Sequence, residues 1–136
     1  MVRKQLSAGA LFSGIGGFCL AFKSAGFQTK WANDFDPYAC LVYRSNFPKT
    51  RLIEKDIRKL SVKKDKLAPV DILHAGFPCQ SFSQAGSRRG FEDERGKLFF
   101  EIIRLVKEFG PKKPKVIVLE NAPYWAGAYC EFGSVT

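Results

Sequence analysis

The chain of 136 residues moves between two hydrophobic periods, one suited to strands and one to helices. Residues 6–12 form a short run of apolar and small side chains that reads as a strand, although Gly9 weakens it. A glycine-rich turn at 14–17 follows, after which Phe18, Ala21, Phe22 and Ala25 recur at helical spacing. Gly26 suits the left-handed residue that closes such a helix. Residues 28–33 predict a second strand. Asp36-Pro37 then reads as a helix start, with Asp36 as N-cap and Pro37 at the first helical position. That helix reaches about Phe47, before Pro48. Residues 51–54 predict a third strand, which puts Asp56 at a strand end, and residues 70–75 predict a fourth. A loop rich in Gly, Ser and Arg occupies about 76–96. Leu98, Phe99, Ile102, Ile103, Val106 and Phe109 share one helix face, and Gly110-Pro111 ends that helix. Residues 116–119 predict a fifth strand, buried to judge by its unbroken apolar run.

Regular alternation of strand and helix predicts an α/β fold with a mostly parallel sheet. No internal repeat or linker divides it. In such sheets ligands bind beyond the carboxyl ends of the strands. The glycine turn, Asp34, Asp56, Cys79 and Glu120 all fall at predicted strand ends of that kind.

Composition narrows the class. An apolar content of 46% with 14% aromatics describes a chain able to build a core. No apolar run reaches the roughly 18–20 residues of a membrane span. The basic start MVRKQLSAGALF is followed by glycines rather than a cleavage site, so a cytoplasmic location is expected. Cysteines stand at 19, 40, 79 and 130, none in a CxxC pair, and His74 is the only histidine. Free thiols and no metal site are therefore expected. The net charge of +9 favours a polyanionic partner, though it also fits a merely soluble basic surface. Lys63-Lys64, Arg88-Arg89 and Lys112-Lys113-Lys115 lie in predicted loops, available to a ligand or to water.

Two segments carry candidate chemistry. Phe12-Ser-Gly14-Ile15-Gly16-Gly17 lets backbone approach a ligand at a helix N-terminus, or else simply makes a tight turn. It is neither the dinucleotide fingerprint, because Cys19 stands where the third glycine belongs, nor a P-loop. Asp34 lies at the distance along the chain where a carboxylate accepts from ribose hydroxyls, or it is a second cap beside Asp36. Phe35 could stack on a base. Cys79 sits between Pro78 and Gln80, on a loop stiffened by proline and near basic residues that stabilise a thiolate. That placement fits a nucleophile as well as a structural thiol. Glu120 ends the fifth strand, where a simple crossover would bring it beside the fourth.

FSGIGGF, NDFDPYA, EKDI, AGFPCQSFSQAG, RGFEDERGKLFFEIIR and PKVIVLEN occur here in the order seen in DNA (cytosine-5) methyltransferases. The chain resembles that family from about residue 11 to 121. The resemblance implies a Rossmann-like, S-adenosylmethionine-dependent methyltransferase fold and transfer of a methyl group to C5 of cytosine in double-stranded DNA, commonly within a restriction-modification system. It implies Cys79 as the nucleophile that adds to C6 of a flipped-out base, with Glu120 hydrogen-bonding the N3 side. It maps Phe12, Gly14, Ile15, Gly16, Gly17, Asp34, Phe35, Asp56, Ile57, Pro78 and Leu98 to the cofactor pocket. Gln80, Ser83, Arg88 and Arg89 fall on the loop that closes over DNA in the family. His74 receives no role, and Cys19, Cys40 and Cys130 are expected to pack.

The match also has departures. Ala122-Pro123 follows Glu120-Asn121 where the family has an aliphatic residue, and residues 124–136 do not resemble the usual continuation. The later strands, an arginine-bearing motif, the target-recognition domain and the segment completing the cofactor pocket have no counterpart. Residues 1–136 are thus expected to form the N-terminal part of the cofactor-binding and catalytic domain, incomplete at the C-terminal side. Three functional expectations follow. The chain is a fragment of a methyltransferase, or one subunit of a split enzyme completed by a second polypeptide, or a noncatalytic cofactor- or DNA-binding remnant.

Overall fold

The computed structural model describes residues 4–77 and 97–120. Five strands, β1 (Ser7–Leu11), β2 (Gln28–Asp34), β3 (Arg51–Glu54), β4 (Ile72–Gly76) and β5 (Val116–Glu120), form one sheet in the order β3-β2-β1-β4-β5. Every neighbouring pair is parallel. The chain builds outward from β1 through β2 to β3, then returns to β4 on the other side of β1. The order of winding therefore reverses between β1 and β4, where α/β sheets place ligands.

Helices α1 (Gly17–Ser24) and α2 (Pro37–Asn46) cover one face, and α3 (Lys97–Glu108) covers the other. Asp36 caps α2 as its sequence predicts, its carboxylate accepting from Tyr38 N at 2.8 Å and Ala39 N at 3.0 Å. Under α3 lies the larger core: Leu11, Trp31, Leu73 and Ala75 from the strands meet Phe99, Ile102, Leu105 and Val106. Under α1 and α2 a smaller one joins Ala10, Ala32, Cys19 and Tyr43.

Gly9 is explained by Trp31, its partner in register. A Cβ at Gly9 would stand 2.6 Å from Trp31 Cζ2, so the glycine leaves the room the indole fills. The indole also donates from Nε1 to Ala68 O at 2.8 Å. On the opposite face His74 is buried, stacked on Phe22 with centroids 4.7 Å apart, and its Nε2 lies 3.7 Å from Cys19 Sγ. Burial pushes its pKa down to about 4, so the ring is neutral at physiological pH.

The fifth strand corrects an expectation. Its apolar run is not buried: Val116 is 48% and Ile117 38% exposed. An unbroken apolar strand is covered only where layers lie on both of its faces and strands on both edges. Among the described residues β5 is an edge strand paired to β4 alone.

The buried imidazole makes stability depend on pH. An unfolded histidine takes a proton near 6.5, and this one only near 4 when folded. Between those values the unfolded chain binds more protons. His74 therefore contributes its full stabilisation above about pH 6.5 and loses it as the pH falls toward 4, by up to about 3 kcal/mol. Urea unfolding at pH 7 and pH 5 should show the drop, and a His74→Phe chain should show a smaller one. Equal drops in both chains would count against this origin.

Candidate functional site

The parallel strands end together on one rim, and the glycine turn leaves that rim first. Phe12 follows β1 with φ +52°, a left-handed conformation that a bulky side chain rarely adopts. Gly14 and Gly16 continue with φ +56° and +101°. The strained path is tied down at several points. Ser13 N donates to Asn33 O at 3.0 Å, Gly16 N to Ser13 O at 3.0 Å, and Asn46 Nδ2 to Ile15 O at 3.0 Å. A Cβ at Gly16 would lie 2.1 Å from Phe47 Cε2, so the aromatic ring closes directly over the turn. At Gly14 and Gly17, by contrast, a Cβ would meet nothing within 4 Å. That open space adjoins the start of α1, which has no side-chain cap, so its first N–H groups suit an anion. Ser13 Oγ is buried without a hydrogen-bond partner among the described residues.

Asp34, the last residue of β2, joins the turn to the rim. Its Oδ2 accepts from Gly14 N at 2.8 Å, and its Oδ1 from Phe35 N at 2.8 Å and Asp36 N at 2.9 Å. The capping alternative for this residue is not what the structure shows, since α2 is capped by Asp36. A carboxylate offers about four acceptor positions, so one is left for a ligand hydroxyl. Phe35 beside it is 63% exposed, an open aromatic face.

Beyond β3, Asp56 caps the 3₁₀ turn Ile57–Lys59 and accepts from Arg58 N at 2.9 Å. The Arg58 guanidinium, 2.6 Å away, holds this carboxyl below the usual carboxylate range. Ile57 is buried in the larger core, and its carbonyl accepts from Arg104 Nη2 at 2.9 Å. Phe12 and Leu98 are half-buried against the same core. Ile15 stands exposed at the turn.

On the other side of the winding reversal, Glu120 ends β5 in register with Gly76 of β4. A Cβ at Gly76 would stand 3.3 Å from Glu120 Oε2 and 3.7 Å from Phe18 Cε2. The missing side chain thus gives the carboxylate its space beside the Phe18 ring. Sequence reasoning placed Phe18 only at helical spacing and Phe47 only at a helix end, and it gave neither these two nor Asn46 a part in the site. Only the two steps from Gly16 to Phe18 could have signalled the first, and no local signal marks the others.

Pro78, Cys79, Gln80, Ser83, Arg88, Arg89 and Cys130 lie outside the described residues. Cys19 and Cys40 are buried and free. Burial pushes both thiols up, Cys40 to about 11 with help from Glu54 and Asp34, so neither is poised as a thiolate. Among the described residues no group of three or more His, Cys, Asp or Glu could hold a metal ion. Nor is any helix among them long and apolar enough to cross a membrane.

The chain matches the profile of C-5 cytosine-specific DNA methylases over residues 6–128. It is similar to the type II methyltransferase M.Bsp6I of Bacillus sp. (strain RFL6), 48% identical over 125 residues that cover 90% of this chain and 38% of that protein. The type II methyltransferase M.HhaI of Haemophilus parahaemolyticus is 47% identical over 116 residues, 85% of this chain and 33% of its own. Among solved structures, the S. pombe Dnmt2 methyltransferase superposes with a TM-score of 0.71 at 27% identity, covering 90% of this chain and 38% of that one. The chain thus spans about a third of the length of the curated relatives it matches.

The turn geometry separates two glycines. Gly16→Ala meets both the left-handed backbone and the Phe47 ring, and should destabilise the chain by about 3 kcal/mol. Gly14→Ala meets the backbone term alone and should cost about 1 kcal/mol. Thermal unfolding of the two variants measures the difference. Equal losses would show that the ring does not clamp the turn.

Proposed function

The chain belongs to the C-5 cytosine-specific DNA methylase family, and from that premise we propose that it supplies the cofactor-binding and catalytic part of an enzyme methylating C5 of cytosine in double-stranded DNA. Residues 1–136 would be the N-terminal part of the catalytic domain, with target recognition carried by sequence beyond them. The type II relatives favour a restriction-modification setting. One observation carries the reading. Glu120 ends its strand beside Gly76, three positions ahead of Cys79, on the rim that also bears the glycine turn and Asp34. Three peptide units cannot carry the Cys79 Cα more than about 11 Å from that of Gly76.

The residues present fit S-adenosylmethionine. The uncapped start of α1 and the open space at Gly14 and Gly17 would take its amino-acid end. The remaining acceptor position of Asp34 would take a ribose hydroxyl, and the exposed face of Phe35 would stack on adenine. Phe12, Ile15, Gly16, Asp56, Ile57, Pro78 and Leu98 would complete the walls. When bound, the cofactor supplies an electrophilic methyl group, which neutral cytosine C5 is too weak a nucleophile to accept.

The chain's own residues remove that obstacle. With the base turned out of the duplex, the Cys79 thiolate forms a bond to C6 and electron density moves to C5. Glu120 hydrogen-bonds the N3 side of the ring, stabilising the charge that the addition places there. Once C5 has gained the methyl group, its proton passes to a solvent water or hydroxide and the C6–S bond breaks with departure of the thiolate, which restores the aromatic ring. Gln80, Ser83, Arg88 and Arg89 would close over the DNA and exclude water. The exposed face of β5 favours a second form of the same reading, in which a separate polypeptide completes the sheet.

The test joins this chain to the C-terminal two thirds of the Bacillus relative and offers the fusion duplex DNA containing 5-fluorocytosine. A covalent adduct should form, survive Cys19→Ala and Cys40→Ala, and vanish with Cys79→Ser. An adduct that persists in the serine variant would refute the nucleophile assignment. On ordinary DNA, Glu120→Gln should lower the rate by about 10²-fold or more while cofactor affinity holds. An unchanged rate would remove Glu120 from the chemistry.

A further inference from the structure

Both ends of the sheet carry charge of both signs, and the rim bears Lys55, Arg58 and Lys59 just beyond β3. The rim of the site carries Asp34, Asp36 and Glu120, none in an ion pair among the described residues. The opposite, amino-terminal end of the strands carries a denser run of lysines in the turns around α3. Lys63, Lys64 and Lys66 stand in the turns ahead of β4, Lys107 in the last turn of α3, and Lys112, Lys113 and Lys115 ahead of β5, all of them exposed.

A single glutamate gathers these turns. Glu108 Oε2 accepts from Val62 N at 2.8 Å and Ser61 Oγ at 3.2 Å, next to Lys63 and Lys64. One residue further on, Phe109 O accepts from Lys112 N at 3.1 Å. Lys115 N donates to Asp71 O at 3.0 Å, which anchors the last lysine to the same end. The acids of this end are already engaged. Glu108 pairs with Arg104, Asp65 with Lys55, and Asp71 accepts from Ser7 N and Oγ, both at 2.8 Å. Lys63, Lys64, Lys107, Lys112 and Lys115 form no ion pair among the described residues.

We propose that this lysine cluster docks the phosphate backbone of a second segment of duplex DNA, on the side of the molecule away from the target-base site. The choice of DNA as the polyanion rests on the proposed methyltransferase reading; the surface itself does not. Ammonium groups on flexible stems contact phosphates without reading sequence, and each contact releases counterions. The duplex held here cannot be the stretch that delivers its base to the opposite rim, unless it loops around the protein. The surface would hold the enzyme on DNA while the site engages another segment.

The full chain and a 20-base-pair duplex of arbitrary sequence test this, by fluorescence anisotropy across about 50–300 mM KCl. Lys63→Gln, Lys64→Gln and Lys112→Gln together should make the slope of log K against log salt shallower by about 2 to 3. A control with the same charge loss, Lys23→Gln, Lys30→Gln and Lys49→Gln, at positions near the same end but outside the turns that Glu108 gathers, should change it by less than about 1. Equal changes in the two variants, no change in either, or no binding by the parent chain would each overturn the proposal. So would a cluster variant that keeps the parent's DNA slope while losing affinity for phosphatidylserine vesicles. If the 5-fluorocytosine adduct fails while the two slopes differ as stated, the methylation reading falls and the docking surface stands.

Discussion

Three backbone N–H groups converge on the carboxylate of Asp34, from Gly14, Phe35 and Asp36. Two of them belong to the end of β2 and one to the turn that leaves β1, so a single side chain sets the spacing of the two strand ends. Without it, a turn with left-handed backbone at Phe12, Gly14 and Gly16 would have only Ser13, Asn46 and Phe47 to hold it. An ionised acceptor also makes these bonds stronger than neutral ones. In the proposed reading the same carboxylate would also meet a ribose hydroxyl, so one side chain would serve both the architecture and the ligand.

A second set of ties works from the other face. Arg104 on α3 reaches Glu101, Glu108 and the carbonyl of Ile57, while Glu108 accepts from Ser61 and Val62. The segment from Ile57 to Val62 is thereby fixed at both ends to one helix. The resulting charge network lies between the two ends of the sheet, so it steadies the Asp56 turn on the rim and the lysine turns beyond Glu108 alike.

Much of this was readable in the order of residues because the signals are local. Asp36-Pro37 specifies its helix start within four residues, and the alternation of strand and helix gives the parallel sheet directly. The misread features depend on partners distant in sequence. Gly9 looked like a flaw until Trp31 supplied its ring, and Gly16 needs Phe47, which no periodicity announces. The apolar run of β5 says that both faces can be covered, and not whether residues 4–77 and 97–120 cover them. Asp34 offered a ribose contact or a cap from its position alone. Its bond to Gly14 joins residues twenty apart and was invisible to either alternative.

The uncovered fifth strand has a practical consequence for the isolated polypeptide. Among the described residues its outer edge pairs with no strand and is flanked by the exposed Val116 and Ile117, the template on which a second copy can add a strand. Lys115 immediately before it is a natural gatekeeper, since a charge at the start of an edge discourages such pairing. Recombinant handling of this chain alone therefore favours dilute, low-salt conditions that leave the ammonium unscreened, and removing that lysine would promote precipitation.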